Sequence, residues 1–86
     1  MNAYDLARTI TGYVNEGQHD DLFIARWIEG FQDIAALKRE LVCALLVHDK
    51  MVMFMLDDVI QHYHLLDGIN LRIAVPAERA RQAQRG

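Results

Sequence analysis

Carboxylates and imidazoles recur at helical spacing on one stretch of the chain. Asp58 and His62 are four residues apart, as are Asp57 and Gln61, and His64 lies seven residues after Asp57. On a helix this spacing sets an acid and an imidazole side by side, a pairing that can hold a divalent cation. A catalytic zinc site normally takes three protein ligands, and Asp58 with His62 supplies two. His64 is turned away around the helix, and the other candidates, His19-Asp20-Asp21 and His48-Asp49, lie elsewhere in the chain. A solvated polar face is therefore expected, and no metal.

Nucleophilic chemistry has as little to work with. The chain has no Ser, and Thr9 and Thr11 are its only serine-type hydroxyls. Cys43 lies inside Leu-Val-Cys-Ala-Leu with no basic neighbour to stabilise a thiolate, which reads as a small buried hydrophobe. The five glycines are scattered singly, so no phosphate-cradling loop forms. Neither an enzyme nor a cofactor is expected, and no small-molecule substrate.

The elements that would carry these residues are helical at first. Asn2 is a suitable N-cap, Asp5 falls in the first turn, and Leu6, Ile10, Tyr13 and Val14 recur at helical spacing until Glu16-Gly17. Asp20 can cap a second helix whose ridge is Phe23, Ile24, Trp27, Ile28 and Phe31. After a break at Gly30, Asp33 caps a third helix along the stripe Ile34, Leu37, Leu41, Ala44 and Leu45.

The centre of the chain is unusually apolar. Phe31 to Asp67 contains no Gly or Pro, and it holds two uninterrupted apolar blocks, Leu41 to Val47 and Met51 to Leu56, separated by His48-Asp49-Lys50. The first block covers the full circumference of a helix, which implies burial on every side. The second opens a fourth helix, about Lys50 to Leu66, with Phe54 on its polar side and Met51 and Met53 near the edges. A bulky aromatic there costs solubility in a monomer, so Met51, Met53 and Phe54 are the candidate partner-facing patch. A hairpin over 41–56 is the rival reading; the blocks are rich in Leu, Met and Ala, do not alternate, and lack a turn glycine, so helix is preferred.

Beyond Asp67-Gly68 the period changes. Ile69, Leu71, Ile73 and Val75 alternate with Asn70, Arg72 and Ala74 up to Pro76, the signature of a strand with one buried face. A lone strand must find a partner, either its own copy across a two-fold axis or a sheet edge on another protein. These four apolar residues join the candidate contact set. The domain is thus expected over 1–76, followed by a basic, Ala/Arg/Gln-rich tail over 77–86.

Charge and size complete the expectation. Residues 1–30 carry two bases against five acids, residues 31–67 three against six, and residues 68–86 four against one. The basic contacts available at the end are Arg72, Arg79, Arg81 and Arg85. No apolar run reaches the roughly 20 residues of a membrane span, and the first ten residues do not resemble a signal peptide, so a cytoplasmic protein without membrane contact is expected. A domain this small buries only about 60 to 65 per cent of its unfolded surface, and oligomerisation is a common remedy. The overall expectation is a mainly α domain of about four helices with one C-terminal strand, forming a homodimer. Its expected role is stoichiometric binding of another protein, as an adaptor or inhibitor, in the manner of accessory or phage-encoded factors that block a host protein. The alternative is a small dimeric DNA-binding regulator reading a groove through a paired strand with Asn70 and Arg72.

Overall fold

The first four helices all begin at an Asn or Asp whose side chain accepts a hydrogen bond from a free backbone N–H of the first turn. Asn2 accepts from Asp5 at 2.8 Å to open α1 (Ala3–Asn15), and Asp20 accepts from Phe23 at 3.0 Å to open α2 (Asp21–Glu29). Asp33 accepts from Ala36 at 3.1 Å at the start of α3 (Ile34–Leu45). Asp49 accepts from Met51 and Val52 at the start of α4 (Lys50–Tyr63). A single 3-10 turn (Leu66–Gly68) leads into α5 (Leu71–Arg85). The computed structural model describes residues 1–85.

The helices bury one continuous core. Leu6, Ile10 and Val14 of α1 and Ile24 and Ile28 of α2 close on Leu37, Leu41 and Leu45 of α3 and on Val52, Leu56 and Ile60 of α4. Leu71 and Val75 complete it from α5. The Cα radius of gyration is 12.1 Å, against about 12 Å for a compact domain of this length. One chain therefore closes its own globule, and much of the central apolar surplus lies inside it.

Several sequence expectations are corrected. There are five helices rather than four, and among the described residues there is no strand: Leu71–Val75 is the first part of α5. The alternation misled because Leu71 and Val75 are also four apart, which is one face of a helix. Those two are buried, while Ile73, expected on the same buried face, is 67% exposed. Pro76 does not stop the element. It is the sixth residue of α5 and removes one N–H from the helix ladder without ending it.

The apolar block Leu41 to Val47 is not buried on all sides either. Leu41, Ala44 and Leu45 are core, but Cys43 is exposed and Val47, past the end of α3, is 84% exposed. Both blocks are helical, so the hairpin over 41–56 does not form; α3 and α4 meet through Leu46–Asp49. Finally, α4 stops at Tyr63, where His64 takes the left-handed conformation at φ 55°, and Leu66, Asp67 and Gly68 continue the reversal with positive φ. Residues 77–85 of the basic, Ala/Arg/Gln-rich tail, whose composition suits a solvated helix, form the outer part of α5; Gly86 lies outside the described residues.

Candidate functional site

Asp57 lies on the side of α4 that faces α5 and is 1% exposed. Its Oδ1 accepts from the Leu71 backbone N–H at 2.8 Å and from Gln61 Nε2 at 3.4 Å, and its Oδ2 accepts from Arg72 Nη1. Asp58 Oδ1 accepts from Arg72 Nη2 at 2.7 Å. Gln61 Nε2 also donates to the Ile69 carbonyl at 2.9 Å. A carboxylate on one helix thus caps the next, where acid and helix dipole attract and a free N–H needs an acceptor. Hydrogen bonding to Asp58, and then to Asp57, raises the Arg72 guanidinium above its ordinary value. Among the described residues no buried side-chain N or O lacks a partner.

This network fixes the first turn of α5 and nothing beyond it. Past Val75 no residue of α5 is buried. Between its distal half and the α3–α4 corner lies an open groove of about 660 Å³. Leu45, Met53 and Val75 form its apolar floor, and Pro76, Ala80 and Ala83 line the α5 wall. His48, Lys50 and Arg79 stand around it, with Asp49, whose Oδ1 is engaged in capping α4. Four of the nine basic side chains are in ion pairs: Arg8 with Glu40, Lys38 with Asp67, Arg72 with Asp57 and Asp58, and Arg81 with Glu78. Among the described residues Lys50 and Arg79 are in none.

No family model, no curated protein and no solved structure matches this chain. Its site has to be read from its own geometry.

The sequence-predicted contact residues divide into two groups. Met53, Leu71 and Val75 lie in the chain's own core, with only their edges reaching the groove floor in the case of Met53 and Val75. Met51 is 62% and Phe54 37% exposed, Ile73 is exposed, and Ile69 is half-buried against the core. Phe54 lies one helical turn after Lys50, and its ring is 5.1 Å from the Arg72 guanidinium carbon where α4 and α5 meet, outside the lining of the groove. Arg79 and Arg85 are exposed without an ion pair among the described residues; Arg72 and Arg81 are paired within the chain. Arg72 and Asn70 therefore do not sit on a strand that could enter a DNA groove.

The polar face of α4 is only partly solvated, because Asp57 is buried. What would have revealed this is Arg72: once α5 is a helix packed back along α4, its first-turn arginine meets the Asp57-Asp58 pair. Asp58 and His62 do not gather a third ligand, and among the described residues no group of three or more His, Cys, Asp or Glu is placed to hold a metal ion. No helix is long and apolar enough to cross a membrane among the described residues.

Proposed function

We propose that this protein acts by stoichiometric protein binding, through the face where α4 and α5 meet. One observation carries the reading. An apolar groove is left uncovered on that face, beside Lys50 and Arg79, two cations with no internal ion-pair partner among the described residues. An apolar centre with charge at its margin is the composition of a protein interface. The role is that of an adaptor or inhibitor in the cytoplasm, and the homodimer belongs to the same proposal, since a second copy could use this face.

The test is site-specific photo-crosslinking in the source cells. A benzophenone amino acid at Phe54, on the proposed face, should give a discrete one-to-one adduct with a protein. The same group at Arg26, on α2, should not. Equal and diffuse labelling from both positions would remove the reading.

A further inference from the structure

Resting on that reading, we infer that the groove beneath the distal half of α5 receives one amphipathic helix of a partner protein, with Asp or Glu flanking its apolar ridge. Three observations define this occupant. The described chain presents helices and no strand, so an extended peptide finds no sheet edge to join. The α5 wall, Pro76, Ala80 and Ala83, is made of short side chains, which lets another helix axis approach to about 8–10 Å. The wall runs from Val75 to Ala83, about 12 Å of helix axis at about 1.5 Å per residue, enough for partner anchors at i, i+4 and i+7.

Charge decides the flanks. The chain as a whole carries −3, and general electrostatics would turn an acidic partner away. Lys50 and Arg79 reverse that sign locally, two cations against the one carboxylate of Asp49, whose Oδ1 is turned to its own helix cap. On the opposite flank of α5, a second cavity of about 430 Å³ has Lys38, Arg39 and Arg81 at its edge; Lys38 and Arg81 are already paired within the chain, with Asp67 and Glu78, which leaves Arg39 as the one cation there without an ion pair among the described residues. The first groove thus sets two cations without ion-pair partners and one carboxylate around an apolar floor, and complementary charge of this kind sets both partner choice and encounter rate.

A displayed library of 16-residue helices, randomised on all faces, would be selected against the intact chain. The expected pool has Leu, Ile, Met or Phe at i, i+4 and i+7 with acids beside them. Its members should bind at least tenfold more weakly to Ala80→Trp, which fills the groove from an exposed position, and to the double variant Lys50→Glu/Arg79→Glu. Melting curves of both variants should match the parent. A pool no richer than that from Ala80→Trp, a pool flanked by Lys or Arg, or binding indifferent to the charge reversal would each overturn the inference. So would Ala80-dependent binding of dodecanoate with no helix selected, or a parent dimer that Ala80→Trp converts to monomer, since each names a different occupant. A cross-link from position 54 alongside an empty library would overturn the acidic helix and leave protein binding standing.

Discussion

α1 and α5 are nearly equal in length, 13 and 15 residues, and both lie against α3 and α4. They do opposite things with that position. α1 buries Ala3, Leu6, Ala7, Ile10, Thr11 and Val14 along its whole length, whereas α5 buries Leu71 and Val75 and then runs outward with none. Apolar burial contributes about 25 cal/mol per Å², so the helix that seals the core is part of what folds the chain. A helix anchored by one turn adds little to folding beyond that turn. Its outer half, which leaves a groove open, is free to serve a partner instead.

The sharpest way to break this comparison is to damage the core on the α1 side. Leu41 of α3 is fully buried in the cluster that α1 covers. Leu41→Ala should cost about 3 kcal/mol, from lost transfer energy and the cavity left behind, and lower the melting temperature by roughly 10 to 25 °C. A loss under about 1 kcal/mol would mean that the core is not closed by one chain.

Next in size is the anchor of α5. Asp57→Ala removes the acceptor for the Leu71 N–H and a partner of Arg72. A cost of about 2 kcal/mol is expected from losing buried, charge-assisted hydrogen bonds. Its location matters more than its size. Amide hydrogen exchange should rise across 71–85 while α1–α3 stay protected, and uniform loss of protection would show α5 to be an integral part of the core. Removing 77–86 altogether should cost less than about 1 kcal/mol, because none of the described residues there is buried, yet abolish capture from the helix library.

The same contrast explains which parts of the fold were legible in the sequence. α1, α2 and α3 carry their own signals, an Asn or Asp cap followed by an apolar stripe, and those signals are local. The start of α5 carries none, because its cap is supplied by Asp57, 14 residues away on another helix. Without that long-range acceptor, Ile69 to Val75 shows only its alternation, and Pro76 only its usual meaning as a stop. The exposure of Phe54 and Met51 was readable from angle alone. The groove was not, since it arises from two helices diverging after Val75, and no periodicity records a gap. Cys43 failed for a related reason: apolar neighbours in sequence imply burial only if every side of the helix is covered, and α5 covers α3 incompletely.

The smallest expected effect tests whether the two halves of α5 are independent. Glu78 and Arg81, one turn apart in the outer half, are joined by a charge-assisted pair, with Arg81 Nε donating to Glu78 Oε2 at 2.8 Å. That hydrogen bond holds the Glu78 carboxyl below its ordinary value. A depressed carboxylate contributes stability that is fully present above its unfolded pKa, about 4.3, and is lost as pH falls through the lower folded value. Acidification from pH 6 to pH 3, roughly bracketing that loss, should therefore reduce the helical Cα shifts of residues 77–85 more in the parent than in Glu78→Gln, where no carboxylate remains to titrate. The parent-minus-variant difference at 71–75 should stay near zero, because those residues are held by the Asp57 cap and by Leu71 and Val75 in the core. If the difference extends into 71–75, the outer half transmits its state to the anchor, and occupancy of the groove would then change how firmly α5 is docked.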